Sequence, residues 1–114
     1  MVIAAVDRMN ARACIWKRIK FNSAIPLLID ARMGAEFARV YSIRPSNPDD
    51  VDFYEANLYL DDEAERLPCS ARSIIYCPTV IGGLIAFQVK SYATGIPVKK
   101  EILFDLPKLV LISS

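Results

Sequence analysis

The chain carries a strand-length apolar run at residues 2–6, and a second run of the same kind, residues 25–29, follows after one amphipathic segment. Short apolar runs rich in valine and isoleucine are typical of strands buried on both faces of a parallel sheet. The intervening segment, residues 10–21, mixes apolar side chains with cations that concentrate towards its C-terminal end, which predicts an amphipathic helix. A strand, a helix and a strand within about 30 residues fit one βαβ crossover, so the two strands are predicted to run parallel.

Polar side chains follow both predicted strands. Asp7 stands directly after the first run, and the helix is expected to bring Arg12 to the same edge of the sheet. In open α/β sheets this edge holds ligands, so a carboxylate there suits a metal ion or a polyphosphate. The alternative is that Asp7 only caps the helix, because aspartate is a favoured N-cap residue. Arg32, after the second run, poses a similar choice between binding an anion at the sheet edge and forming a salt bridge.

Composition limits the classes of protein to which the chain can belong. Its 114 residues suffice for one domain with a core, and its 54% of hydrophobic residues indicates a globular fold. The net charge of +1 gives no bulk attraction to nucleic acid or to an anionic membrane, so neither is an expected partner. Because the chain has no histidine, it cannot form a Ser-His-Asp or Cys-His catalytic site by itself.

The cysteines and the N-terminal segment indicate a cytoplasmic protein. Cys14, Cys69 and Cys77 include no CxxC pair, so no zinc site is expected. The N-terminal segment lacks the pattern of a secretory signal, which favours the cytoplasm and reduced thiols. The apolar stretch of residues 74–89 is shorter than the roughly 20 residues that span a bilayer, and Pro78 and two glycines interrupt it.

The whole chain is predicted to form one domain in three parts. Residues 1–45 form a βαββ unit, whose third strand, residues 37–43, is expected to run antiparallel at the sheet edge. Residues 46–77 form a crossover segment, a loop followed by acidic stretches that suit two short helices. Residues 78–114 hold a long buried helix, which ends near Gly95, and then a terminal antiparallel pair of strands.

Four segments share an order and a spacing that point to one family. They are the D-x-x-x-x-R spacing within residues 5–12, the stretch PLLIDARMG with residues 37–43 behind it, the helix of residues 78–90 with Gly95, and the closing strands at residues 102–105 and 109–112. In this order they resemble the C-terminal half of the ThiF/MoeB/HesA superfamily, the ThiF-type enzymes that activate ubiquitin-like proteins. The resemblance covers nearly the whole chain. It implies a partial Rossmann-like three-layer fold with parallel strands and a closing antiparallel pair.

The resemblance also implies an activity and a set of site residues. The family is ATP-dependent and adenylates the C-terminus of a ubiquitin-like or sulfur-carrier protein, so ATP and magnesium are the implied cofactors. Asp7 matches the aspartate that contacts magnesium–ATP, and Arg12 either helps with the phosphates or pairs with acidic neighbours. Cys69 falls in the crossover segment where some members keep a catalytic cysteine for thioester or persulfide chemistry; the alternative is a small buried hydrophobe.

The sequence departs from the family in its glycines. It has four in all, and the glycine-rich turn that cradles ATP phosphates is absent. The chain is therefore not expected to be active alone, and an N-terminal-half partner or a second copy is expected at an exposed sheet edge. The alternatives are a non-catalytic scaffold or dimerisation domain with a ThiF-like fold, and an unrelated Rossmann-like fragment.

Overall fold

The structure of the chain, a computed structural model, describes residues 1–6, 8–34, 36–58 and 76–114. Within these residues lie five strands and three helices, in the order β1 (Val2–Ala4), α1 (Met9–Ile19), β2 (Leu28–Met33), β3 (Phe37–Ile43), α2 (Pro48–Ala56), α3 (Tyr76–Ala93), β4 (Glu101–Asp105) and β5 (Val110–Ser113). Asp7 and Cys69 lie outside the described residues.

The five strands form one mixed sheet whose strand order follows the chain, β1-β2-β3-β4-β5. β1 and β2 run parallel, and every other neighbouring pair runs antiparallel. An α/β domain with a parallel first pair and a closing antiparallel pair is therefore confirmed. The prediction that the third strand lies at the sheet edge is wrong. β3 lies in the centre, because the hairpin of β4 and β5 adds to its second edge.

The helices cover the sheet from both sides. On one face, Leu28 and Tyr41 pack against Trp16 of α1 and Tyr54 of α2. On the other face, apolar side chains of β2, β3 and β4 pack against α3 in two clusters. The buried members of these clusters are Leu27, Ile29, Val40 and Ile102 in one, and Ala31, Ala38, Cys77 and Ile81 in the other. The chain is thus a three-layer arrangement, with α1 and α2 above the sheet and α3 below it.

The start of α2 corrects one prediction. Residues 48–50, expected in a loop, form the first turn of this helix. The Asn47 side chain accepts hydrogen bonds from the backbone N–H groups of Asp49 and Asp50, and Pro48 occupies the first turn. Asparagine, proline and aspartate favour turns, but in this order they also cap and begin a helix. The loop predicted for these residues is therefore shorter, and the helix starts earlier.

α3 begins and ends where its sequence allows. Pro78 lies in the first turn, where the missing N–H costs no intrahelical hydrogen bond. Gly95, with a φ of +76°, follows the last turn in the left-handed conformation that commonly ends helices. The face of the helix that packs against the sheet is buried. Phe87 and Tyr92 on the other face are exposed.

The two edge strands differ in character. β1, the outer member of the parallel pair, exposes half of Ile3. β5 is exposed at all four positions, including Leu111 and Ile112. An apolar edge strand of this kind is a site where other chains can pair. In the portion of the chain that the structure describes, none of the helices is long and apolar enough to cross a membrane.

Candidate functional site

A buried polar cluster lies at the carboxyl end of β2, on the face of the sheet that α1 and α2 cover. β2 places Asp30 and Arg32 on this face, since side chains two residues apart in a strand point to the same side. β3 places Tyr41 opposite Asp30 and Arg39 opposite Arg32. The cluster therefore sits where a parallel strand pair ends, the position at which open α/β sheets bind ligands.

Asp30 is the centre of this cluster. Its carboxylate is fully buried and accepts hydrogen bonds from Arg12 Nε at 2.8 Å, from Arg32 Nε at 2.9 Å and from the Tyr54 hydroxyl at 2.9 Å. The three donors come from α1, β2 and α2. Because a buried carboxylate is costly unless it is paired and hydrogen-bonded, these contacts are the condition for its burial. One aspartate thus ties both helices of this layer to the sheet.

Arg12 is almost completely buried and is used by the fold itself. Beyond its bond to Asp30, its Nη2 donates to the backbone oxygens of Val6 at 2.6 Å and of Ala31 at 2.9 Å. This geometry is the pairing with an acidic neighbour that the sequence left open for Arg12. It also fixes the backbone just past the end of β1, since Val6 is the residue before Asp7. The N-cap position of α1 is occupied by Arg8, which makes no side-chain capping bond.

Arg32 and Arg39 carry donors that the cluster does not satisfy. Arg32 Nη1 donates to the Asn57 backbone oxygen at 2.7 Å, but its buried Nη2 has no hydrogen-bond partner among the described residues. The buried Nε of Arg39 likewise has none there, since Glu101 Oε1 lies 3.5 Å away, too far for a good hydrogen bond. Both guanidinium groups approach Tyr41: that of Arg32 lies 4.6 Å from the ring centroid, and Arg39 Nη1 lies 3.4 Å from the hydroxyl.

The electrostatics of the cluster follow from this packing. Burial acts to lower the pKa of Arg32, but the Asp30 carboxylate outweighs it and the pKa of Arg32 lies above its ordinary value. Burial raises the pKa of Tyr54, and the neighbouring Asp30 charge raises it further. Burial also raises the pKa of Tyr41, against the lowering effect of Arg39 and Arg32. Both tyrosines therefore stay protonated as neutral donors at neutral pH, and Arg32 stays charged.

The predicted site residues divide between described and undescribed positions. Asp7 and Cys69 are among the undescribed ones, so the structure tests neither. Arg12 lies within the cluster. The sequence alone did not predict that Asp30 is the centre of this cluster, although its position at the end of the second apolar run could have indicated a functional or buried carboxylate. The remaining cysteines lie apart: Cys14 is exposed on α1, and Cys77, whose pKa burial raises, contacts the Phe37 backbone oxygen at 3.2 Å.

A groove of about 420 Å³ lies elsewhere, between β3 and the end of α3. Asp50, almost fully buried, lines it and accepts hydrogen bonds from the backbone N–H and the Nε of Arg44, each at 2.9 Å. Lys100 Nζ lies 3.2 Å from its other oxygen. Burial acts to raise the pKa of Asp50, but the bonds from Arg44 and Lys100 outweigh it and lower the pKa. In this groove both cations bond the one carboxylate, and no lining residue carries a buried side-chain donor without a partner among the described residues, so the groove fits a charged ligand less well than the Asp30 cluster does.

The lowered pKa of Asp50 predicts a pH dependence of stability. The carboxylate contributes stability above its unfolded-state pKa of about 4, and that contribution is lost as the pH falls through the lower folded-state value. At pH 7 we expect Asp50→Asn to lower the free energy of unfolding by roughly 1–3 kcal/mol, towards the lower end because Arg44 is largely exposed. Urea unfolding of the wild type and of Asp50→Asn is measured from pH 7 down to pH 2, and the free energies of unfolding of the two proteins should converge in acid. If the two free energies of unfolding differ by a constant amount across that range, the loss of stability does not come from the Asp50 charge.

The side chains that could hold a cofactor are few. The described residues contain no group of three or more histidine, cysteine, aspartate or glutamate side chains arranged to hold a metal ion. The guanidinium of Arg12 is committed to Asp30 and to two backbone oxygens, so it does not present a phosphate cradle. The donors that fit an anion are the unpaired ones of Arg32 and Arg39. No family model and no curated protein matches this chain.

Proposed function

We propose that this chain is the C-terminal portion of an ATP-dependent adenylyltransferase of the ThiF type, which activates the C-terminus of a ubiquitin-like or sulfur-carrier protein. The observation that carries the proposal is the position of β1. It is the outer strand of a parallel pair, and parallel strands are typically covered and continued on both sides. The four sequence segments that resemble the family fall between β1 and the first turn of α1, on β2 with β3, on α3, and on the β4–β5 pair.

Among the described residues β1 has no strand on its outer side, and this edge suits the nucleotide-binding half of the proposed enzyme. A nucleotide-binding half would add its own parallel strands there and bring a glycine-rich turn to the carboxyl end of β1. Ile3, half exposed on the face opposite α1, would then be covered. ATP and magnesium are cofactors of the proposed complete enzyme; bound magnesium would neutralise charge on the phosphates during attack by a carboxylate.

Within this proposal Arg12 and Asp7 take different roles. Asp7 is the residue that the resemblance assigns to magnesium–ATP. Arg12 is a positioning residue, because its 2.6 Å bond to the Val6 oxygen and its 2.9 Å bond to the Ala31 oxygen hold the backbone that follows β1 close to β2. Cys69 remains a proposed catalytic thiol, with basic neighbours in the sequence, Arg66 and Arg72, that would favour its thiolate.

The test is isothermal titration with magnesium–ATP. It is run on the chain alone and on the chain mixed with a separately produced nucleotide-binding half of a ThiF-type enzyme. Because the chain lacks the glycine-rich turn, we expect heat of binding only from the mixture. Asp7→Ala should abolish this heat, and the matched variant Asp52→Ala, which removes an exposed carboxylate from α2, should retain it.

A folded mixture that binds no nucleotide would contradict the proposal and favour the second candidate function, a scaffold or dimerisation domain. The exposed edge strand β5 is the observation that favours this candidate. Val110, Leu111 and Ile112 are exposed there, and none of the four β5 residues is charged. Pairing of two copies about a twofold axis at β5 would therefore place no like charges opposite one another.

A further inference from the structure

We propose that Arg32 and Arg39 form a binding site for an oxyanion, a phosphate or carboxylate group, on the face of the sheet that α1 and α2 cover. The two arginines are directly opposite each other on β2 and β3. Directly opposed residues of an antiparallel pair have Cβ atoms roughly 5 Å apart, and like charges in such a pair destabilise the sheet. An anion between them removes this repulsion.

Arg32 and Arg39 each carry a buried donor that no described residue engages. Arg32 is more than nine-tenths buried, and its Nη2 makes no hydrogen bond to a described residue. The buried Arg39 Nε is in the same condition. Buried N–H groups without a partner are rare, and a bound ion is one of their ordinary explanations. Both side chains approach Tyr41, one at its ring and one at its hydroxyl, so the two donors belong to one place in the fold.

The described cations and carboxylates of the cluster are unequal in number. The described ionic groups of the cluster are the guanidinium groups of Arg12, Arg32 and Arg39 against the carboxylates of Asp30 and Glu101. One positive charge is left without a counterpart among them. A buried charge without a partner is unfavourable, whereas arginine binds the oxygens of phosphates and carboxylates with charge-assisted hydrogen bonds. The cluster is therefore completed by a singly or doubly charged oxyanion.

One of the two arginines is already fixed in place by the fold. The Arg32 guanidinium is held by Asp30 through Nε and by the Asn57 backbone oxygen through Nη1, and it lies over the Tyr41 ring. A group fixed in this way loses little conformational freedom when it binds a ligand. Arg39, by contrast, is about one-third exposed and is the side from which an anion can approach. The site thus has one rigid and one accessible arginine.

The oxyanion site does not depend on adenylyl transfer, and its test needs neither nucleotide nor a partner protein. The full 114-residue chain is titrated with inorganic phosphate and, separately, with acetate at constant ionic strength, and the arginine side-chain Nε–Hε signals are followed by NMR. We expect saturable shifts of the Arg32 and Arg39 signals. Tighter binding of phosphate would identify a phosphate site, and equal or tighter binding of acetate a carboxylate site.

Three matched substitutions sharpen the result. Arg32→Lys and Arg39→Lys keep the charge but lose the planar fork, so each should weaken binding roughly tenfold. Arg18→Lys, an exposed position on α1, should leave it unchanged. Should Arg32→Lys fail to fold, Arg39→Lys still decides the matter, because its side chain is only partly buried. The proposal is overturned if the folded wild type shows no saturable shift, or if all three variants bind equally.

If the anion titration gives saturable shifts but the magnesium–ATP titration gives no heat of binding, the oxyanion site is retained and the proposed adenylyltransferase function is rejected. The reverse outcome would reject the site alone.

Discussion

Replacing Asp30 with asparagine is expected to lower the free energy of unfolding by about 3–5 kcal/mol. The substitution removes the shared counter-charge of Arg12 and Arg32, which then remain buried with no carboxylate partner among the described residues. Since domains of this size are stable by only about 5–15 kcal/mol, the variant should unfold at a much lower urea concentration. The single tryptophan, Trp16, is buried in the same layer and reports the transition by fluorescence.

Asp52→Asn is the matched control for this prediction. Asp52 lies exposed on α2, and its replacement makes the same change of charge without disturbing a buried ion pair. Its effect should stay within about 0.5 kcal/mol. If Asp30→Asn is as stable as the control, the Asp30 carboxylate does not hold α1 and α2 to the sheet, and its role as the centre of the cluster is wrong.

Replacing Tyr54 with alanine is expected to cost about 3–5 kcal/mol, comparable to other deletions of large buried aromatic side chains. The ring is buried at the junction of both helices and β3, with its centroid 4.7 Å from that of Trp16 and 6.3 Å from that of Tyr41. Tyr54→Phe separates the hydroxyl from the ring: it should cost about 1–3 kcal/mol, because Asp30 loses one of its donors.

Circular dichroism in urea measures both variants, and Tyr92→Ala on the exposed face of α3 is the control, with an expected effect below about 1 kcal/mol. A double-mutant cycle of Tyr54→Phe with Asp30→Asn should be strongly non-additive, since the two residues share one hydrogen bond. Additive effects, or a Phe variant as stable as the wild type, would contradict the role of the hydroxyl. A Phe variant as costly as the Ala variant would contradict the contribution of the buried ring.

The elements that the sequence predicted well are those decided by local pattern. β1, α1 and β2 follow from two apolar runs and one amphipathic segment, and the end of α3 follows from Gly95. The boundaries moved by a few residues. β2 begins at Leu28 rather than at residue 25, because its pairing with β1 and its pairing with β3 both begin at that residue. Local pattern sets the type of an element, and pairing sets its extent.

The features that the sequence did not reveal depend on partners distant along the chain. β3 is central because β4, from beyond residue 100, pairs with it. Asp30 is a hub because Arg12 and Tyr54 reach it from 18 and 24 residues away. For Arg32 the sequence left a salt bridge and an anion site open, and the structure gives the salt bridge to Asp30 together with one donor that no described residue engages. Whether a donor is left over can be counted only after every other contact is known.

The match between strand order and chain order has a consequence for how the molecule folds. β2 and β3 each find a sheet neighbour already synthesised, so β1, β2 and β3 can assemble early through near contacts along the chain. β4 joins β3 only after an excursion that runs from residue 44 to residue 100. Closing such a long loop costs entropy before any contact compensates for it. We therefore infer that docking of the β4–β5 hairpin is the late step, during which the second edge of β3 lies open.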